Sequence, residues 1–335
     1  MNNYFQLSTE DQQLVLQQAS ARLGLPAQAI EKDLWVTTIL QIVFTLPFAD
    51  KLIFKGGTSL SKVWHQIERF SEDIDLAVDR SLFGMEGDLT KKQIKKLRKA
   101  SSLFVKEEFS LALQSKIEEY GLSSFCSIDA EPDGEGDNTY PEPRKVFVKY
   151  RSAWAEPMEY LSPVVMLEIG ARSLLEPNKQ TNIRSMVEET FPTIQTTLID
   201  TPVITALASK TFLEKAFLLH ELFSVEGRGA TAERKSRHLY DLSRMMNKDF
   251  ALAAIQDDGP WESIRHHREI FTSVRGMDYT PDVRKRITLI PPDDIRTAWE
   301  QDYKSMCSSM IFGDKPTFEE LLEQMQLLEA RFREA

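Results

Sequence analysis

Between Leu52 and Val78 the chain runs LIFKGGTSLSKVWHQIERFSEDIDLAV, and few folds accommodate both ends of that stretch. Leu52-Ile53-Phe54 is a short apolar run that suits a buried strand. Gly56-Gly57 then lets the backbone turn sharply and come close to a ligand. Thr58 and Ser59 add hydroxyls, and Leu60, Val63, Trp64 and Ile67 follow at helical spacing, so the spacing predicts a helix whose free first-turn N–H groups attract phosphate. Downstream, Asp73, Asp75 and Ala77 alternate with Ile74, Leu76 and Val78, which predicts a strand with one apolar face. Asp73 and Asp75 then point the same way, about 6–7 Å apart at Cα. Two such carboxylates are costly to keep ionised without a cation, and as hard oxygen ligands they suit Mg²⁺ or Mn²⁺.

Gly-Gly alone is an ordinary turn and Asp-x-Asp alone is an ordinary surface pair. Combined as strand, Gly-Gly-Thr-Ser turn, helix and acid-bearing strand, they make a phosphoryl-transfer arrangement. GGTSLSK followed by RFSEDIDL resembles the AbiEii/AbiGii toxin family of nucleotidyltransferases, MenT-like toxins of type IV toxin–antitoxin and phage-abortive systems. The resemblance implies a DNA polymerase β-like nucleotidyltransferase fold and four motifs. Its first motif falls on Gly56, Gly57, Thr58 and Ser59 with Lys62, and its second on Asp73-Ile74-Asp75, led in by Arg69, Phe70, Ser71 and Glu72. Arg69 and Ser71 are thereby counted with the nucleotide-binding residues.

The 335 residues, 42% hydrophobic, bury a sizeable core and suggest two domains or one with a large extension. A net charge of −10 argues against a protein that coats nucleic acid indiscriminately, while leaving room for a local basic groove. Cys126 and Cys307, far apart and without metal spacing, read as reduced packing residues. The N-terminal MNNYFQLSTEDQQ has no basic-then-apolar pattern and no run of 18 apolar residues occurs, so the expectation is a soluble cytoplasmic protein without a membrane partner.

Ser8-Thr9-Glu10-Asp11 resembles a capping box opening a helix that Gly24 stops, and Pro26 starts a second helix. That second helix holds Lys32, either on a half-exposed face or near the nucleotide. Lys91, Lys92, Lys95, Lys96, Arg98 and Lys99 open a long helix reaching about Tyr120. Such a run is ordinarily a solvated face, but cations at a helix start oppose the macrodipole, and an RNA backbone is the alternative partner. Residues 131–143, EPDGEGDNTYPEP, read as a mobile loop. Strands are predicted at Val146–Tyr150 and Val164–Ile169. The second carries Glu168 inside an apolar run, where a carboxylate costs several kcal/mol unless paired or metal-bound. It reads either as a third metal ligand beside Asp73 and Asp75, which the resembling fold places on a neighbouring strand, or as the partner of a cation such as Arg172.

From Val203 the pattern turns helical after a linker at Phe191–Pro202. Lys215 and Asp241, on helices at Lys210–Phe223 and Ser236–Leu242, read by residue type as an ion pair between packed helices. The resemblance instead makes EKAFLLH and RHLYDL the third and fourth motifs, with Lys215 and Asp241 catalytic. Arg265, Arg268, Arg275 and Arg284 are composition-level candidates for an RNA or triphosphate groove. The expected architecture is α+β: a mixed-sheet nucleotidyltransferase core over residues 1–185, then a helical C-terminal domain over 186–335 that completes the cleft. The implied reaction is Mg²⁺-dependent transfer of NMP from an NTP to an acceptor hydroxyl. The resemblance implies the 3′ end of tRNA as that acceptor, a block on translation as the outcome, and a cognate antitoxin as partner. Nucleotidylation of a protein, or a non-catalytic NTP-binding module, are the alternatives.

Overall fold

A computed structural model describes residues 2–71, 73–154, 161–196 and 201–335. Glu72 and part of the expected linker lie outside the described residues. The chain divides into two compact units: 1–63 with 71–205, and 64–70 with 206–335. The expected boundary at 185/186 differs from this division in two respects. The last sheet strand comes later, and the seven residues from Trp64 to Phe70 belong with the helices.

The first unit is a seven-stranded mixed sheet with helices. Its strands are β2 (Leu52–Lys55), β3 (Ile74–Val78), β4 (Cys126–Ala130), β5 (Arg144–Tyr150), β6 (Val164–Gly170), β7 (Asn178–Asn182) and β9 (Pro202–Ala206). They lie in the order β4-β5-β6-β3-β2-β9-β7, while β1 (Asn2–Asn3) and β8 (Ile194–Gln195) form a separate parallel pair. Strand β3 runs antiparallel to β2 and parallel to β6, and β5 is antiparallel to β6. Phe54, Ile74, Leu76, Val146, Val148, Val165, Leu167 and Ile169 are all buried, alternating along β5 and β6 with less buried positions.

Helices α1 (Thr9–Leu23), α2 (Ala27–Val43), α3 (Gly56–Lys62), α4 (Lys91–Phe104), α5 (Ser110–Glu119) and α6 (Met186–Thr190) complete the first unit. Ser8 caps α1 by accepting from the Asp11 amide, and Gly24 ends it in the left-handed region. Both follow from the sequence. A π-helical turn at Val105–Phe109 joins α4 to α5 in the one long helix expected. Helix α2 packs against β6. Lys32 is buried on it, its ammonium donating to the carbonyls of Ser162 and Val164. That use braces the entry to β6 and corrects its reading as a half-exposed residue.

The second unit is helical: α7 (Ala208–Ser224), α8 (Arg237–Met245), α9 (Asp249–Gln256), α10 (Asp258–Phe271), α11 (Asp293–Ser309) and α12 (Phe318–Glu334). Phe212, Phe217, Trp261 and Phe332 form its aromatic centre, with Phe217 and Trp261 centroids 5.1 Å apart. Residues 64–70 are joined to 310–313 by backbone bonds, Phe70 N–H to Met310 carbonyl at 2.7 Å and Phe312 N–H to Glu68 carbonyl at 3.1 Å. Ser236, expected to cap α8 with its side chain, precedes the helix with helical backbone angles, and its hydroxyl donates to Asp302 instead. Arg265, Arg268 and Arg284 are held by Glu262 and Glu269, by Glu221 and by Asp258 respectively, which removes them from the expected groove.

His220 on α7 couples this unit to pH. Its Nδ1 accepts from the Thr288 amide and lies 2.7 Å from Ser224 Oγ. Burial pushes it down to about 4, against the raising field of Glu221. An unfolded histidine protonates near 6.5, so between about 6.5 and 4 only the unfolded chain takes up this proton. The contribution of His220 is therefore intact above 6.5 and is lost as pH falls towards 4. The expected result is an unfolding free energy in urea that declines over that window, with a shallower slope in His220→Asn. An unchanged slope would remove His220 from the explanation.

Candidate active site

Register within the first unit places four charged residues in one row across the sheet. Lys55 pairs with Asp75, Asp75 with Glu168 and Glu168 with Lys145. Paired residues share a face, so the row reads Lys55, Asp75, Glu168, Lys145. Adjacent strands lie about 4.8 Å apart, which sets two carboxylates side by side at the centre of the row. Lys145 Nζ stands 3.5 Å from Glu168 Oε1. Glu168 is about a third exposed, because burial alternates along β6 and Leu167 and Ile169 take the buried side. The desolvation cost expected of it does not arise, and Arg172 pairs with Glu142 rather than with Glu168. Asp73 precedes β3 by one residue.

The glycine turn is built against the same row. Gly56 has φ +79, and a Cβ there would lie 2.0 Å from Oδ2 of Asp75, so only glycine lets the carboxylate occupy its position. Helix α3 starts at Gly56 with Lys55 as an extended N-cap residue giving no side-chain cap, and its first-turn amides have no intrahelical acceptor. Thr58 and Ser59 are buried. Thr58 Oγ1 donates to the Asp73 carbonyl and lies 2.9 Å from Ser71 Oγ, while Ser59 Oγ donates to the Gly56 carbonyl at 2.8 Å. These hydroxyls brace the glycine turn and the approach to the acid strand. Lys62 Nζ is 2.6 Å from Asp33 Oδ1, and Asp33 in turn accepts from the Met186 amide.

In the second unit a buried charged cluster joins residues far apart in sequence. Arg69 donates through Nε and Nη2 to the two oxygens of Asp241 at 2.6 and 2.8 Å, a bidentate pair. Lys215 Nζ reaches Asp241 Oδ2 at 2.9 Å and His238 Nδ1 at 3.2 Å. Burial opposes ionisation of Asp241, but Arg69 and Lys215 outweigh it and hold the carboxyl well below its usual range. Burial lowers Lys215 despite Asp241, and burial with the field of Lys215 keeps His238 neutral. An ammonium only donates, so Nδ1 of His238 accepts and its proton sits on Nε2.

A model of the nucleotidyl transferase AbiEii toxins of type IV toxin–antitoxin systems matches residues 38–324. The chain belongs to the AbiEii family. Among solved structures it is similar to MenT4, a nucleotidyltransferase toxin from Mycobacterium tuberculosis H37Rv, at 15% identity and a TM-score of 0.49, covering 98% of this chain and 88% of that one. No curated protein matches it. As an AbiEii protein it is a nucleotidyltransferase toxin that uses an NTP and has an antitoxin partner. Among the described residues no helix is long and apolar enough to cross a membrane.

Nucleotidyl transfer calls for a divalent cation to offset phosphate charge. Among the described residues of this AbiEii chain, no three His, Cys, Asp or Glu side chains gather into a metal-binding group. Mg²⁺ sites of this chemistry use one or two carboxylates with waters and substrate phosphates rather than an all-protein cage, and the donors here are carboxylate oxygens, so the residues fit. The structure brings Gly56, Gly57, Thr58, Ser59, Lys62, Ser71, Asp73, Asp75 and Glu168 into the first unit, and Arg69, Lys215 and Asp241 into the second. Sequence reasoning missed Lys55, Lys145 and His238. His238 was legible three residues before Asp241 on the same helix, whereas Lys55 and Lys145 emerge only from strand register.

Replacing Gly56 tests the turn directly. Gly56→Ala adds a methyl where Asp75 Oδ2 stands and strains a left-handed backbone by about 1–2 kcal/mol. Misplacement of a reacting group by about 1 Å costs on the order of 10²-fold in rate, and that is the loss expected in kcat. Wild-type kcat in a folded Gly56→Ala would detach the turn from the chemistry.

Proposed function

We propose that this AbiEii protein transfers a nucleoside monophosphate from an NTP to the 3′-terminal hydroxyl of a tRNA, and that this blocks translation. The observation that carries the catalytic part is the pairing of Asp75 with Glu168 on adjacent strands beside the Gly56 turn. Asp73 and Asp75, with Glu168 once its 3.5 Å pairing to Lys145 is released, are the residues that would hold Mg²⁺ or Mn²⁺. Bound there, the cation lowers the pKa of the acceptor hydroxyl and offsets charge on the leaving group.

In the proposed reaction the acceptor oxygen forms a bond to the α-phosphorus. The bond from that phosphorus to the oxygen bridging to the β-phosphate breaks, pyrophosphate leaves, and the hydroxyl proton passes to solvent. The first-turn amides of α3 are the donors for the triphosphate, since the Thr58 and Ser59 hydroxyls already have acceptors. Lys62 serves through Asp33, holding the end of α3 on α2, and does not reach phosphate in this arrangement. In the second unit Lys215, which the resemblance makes catalytic, is held by Asp241, and Asp241 by Arg69.

The test is to incubate the protein with each α-labelled NTP, Mg²⁺ and a whole-cell lysate, then separate RNA from protein. The reading predicts label on the 3′ end of tRNA and no label on purified tRNA whose 3′ end has been oxidised with periodate beforehand. Label on protein would transfer the activity to a protein acceptor, and no label with any NTP would overturn the enzyme reading.

A further inference from the structure

Helix α4 presents Lys91, Lys92, Lys95, Lys96 and Lys99 exposed on its surface. Lys91, Lys95 and Lys99 form one i, i+4 row and Lys92 and Lys96 a second, so like charges face each other along the helix. The first turn has no acidic residue, and its two lysines sit at the positive end of the helix dipole. The Thr90–Gln93 capping box stabilises the helix start against this repulsion. Among the described residues none of the five lysines has a carboxylate partner. A face selected only for solvation would interleave acids, as α11 does with Asp293 and Arg296.

Beside this face is a cleft of about 430 Å³ lined by Lys95, Arg98, Lys99, Gly136, Thr139 and Tyr140. The Lys99 ammonium stands 5.1 Å over the Tyr140 ring, and Nε of Arg98 is buried without a hydrogen-bond partner. Tyr140 belongs to the acidic segment 131–143, yet several of that segment's carboxylates are engaged elsewhere. Glu131 accepts from the Lys145 amide, Asp133 pairs with Lys106 and Arg144, and Glu142 takes Arg172 and the Ala171 amide. These three carboxylates are taken up by other partners, and the segment lends the lysines the Tyr140 ring.

We propose that the α4 lysine face and the Tyr140 cleft form a binding surface for single-stranded RNA, with phosphates along the lysines and a base against the Tyr140 ring. A row of cations beside an aromatic platform is the combination that single strands use. An acidic polypeptide would use the lysines but has no need of the ring. The assignment rests on the nucleotidyl-transfer reading only for its purpose, which is to hold the acceptor RNA.

Fluorescence anisotropy of a labelled oligouridine with the full chain, in the absence of NTP, tests it. The triple variant Lys91→Ala, Lys95→Ala, Lys99→Ala is expected to bind about tenfold or more weakly at low salt. Its slope of log affinity against log salt should be shallower by about 2, from three phosphate contacts at about 0.7 each. Tyr140→Leu is expected to weaken binding about fivefold or more, and Tyr140→Phe to retain it. Unchanged affinity and slope in the triple variant would overturn the surface. Wild-type binding by Tyr140→Leu, or displacement of the RNA by polyglutamate as readily as by unlabelled oligouridine, would overturn RNA as the occupant. With no NTP present, a failure of the transfer reading appears in the labelling experiment and leaves this one intact.

Discussion

Asp75→Asn is expected to lower the single-turnover rate of nucleotidyl transfer by about 10³-fold or more while leaving the thermal midpoint at or above that of the wild type. The rate loss follows from removing one of the carboxylates that would hold the cation, whose charge stabilisation is worth several kcal/mol at about 1.4 kcal/mol per tenfold. The stability expectation follows from the row on the sheet. Asp75 is the in-register neighbour of Glu168, so neutralising it relieves like-charge repulsion, and the amide has nearly the shape of the carboxylate. Asp73→Asn should behave the same way in rate. Near wild-type transfer by either variant in Mg²⁺ would remove the acid pair from the mechanism, and a collapse of the midpoint would recast it as structural.

Asp241→Ala is expected to do the opposite, costing stability first. It leaves the guanidinium of Arg69, 1% exposed, and the ammonium of Lys215, 8% exposed, without the carboxylate they share. Removing one partner of a buried pair costs about 3–5 kcal/mol, which would lower the midpoint by on the order of 10 °C. Lys215→Met is the informative contrast, because it leaves the bidentate Arg69–Asp241 pair intact and fills the space with an apolar chain. Its midpoint should stay near the wild type. If its specific activity nevertheless falls by about 10² or more, the lysine acts on substrate. If activity survives, Lys215 belongs to the packing of the helical unit, as its residue type and spacing alone suggest.

The legible parts of the fold were those where one face of an element is buried. The alternation of Asp73 to Val78 gave β3, and Ser8 with Gly24 bounded α1. The apolar spacing of Leu60, Val63, Trp64 and Ile67 imitates a longer helix than exists. Helix α3 ends at Lys62, and His65 adopts φ +50, which no helix continues through. Strand β9 holds the β-branched Val203-Ile204-Thr205, but Pro202 reads as the end of a linker, which assigns them to the helical half. Strand β7, Asn-Lys-Gln-Thr-Asn at the sheet edge, pairs through backbone alone and carries no apolar signal.

The candidate site was legible as residue types and motifs. Its contacts were not, since Lys62 with Asp33, and Arg69 with Asp241, join residues that no local pattern relates. Glu168 shows the limit most clearly. A carboxylate within VVMLEIG reads as buried on hydropathy, while the two-residue period of the strand turns it to the open face.

If Asp75 and Glu168 form the proposed acid pair, the parallel pairing of β3 with β6 also sets when this toxin becomes active. Asp75 and Glu168 meet only after the intervening 92 residues have been synthesised and folded back, and β2 gains its partner β9 only near residue 205. Long-range parallel pairing is among the slowest steps of folding, and chains on the ribosome grow at about 5–20 residues per second. A chain still in synthesis, or cut short before Gly170, therefore carries both motifs of its glycine turn and acid strand without an assembled acid pair. On the proposed reading, activity waits for this closure of the sheet.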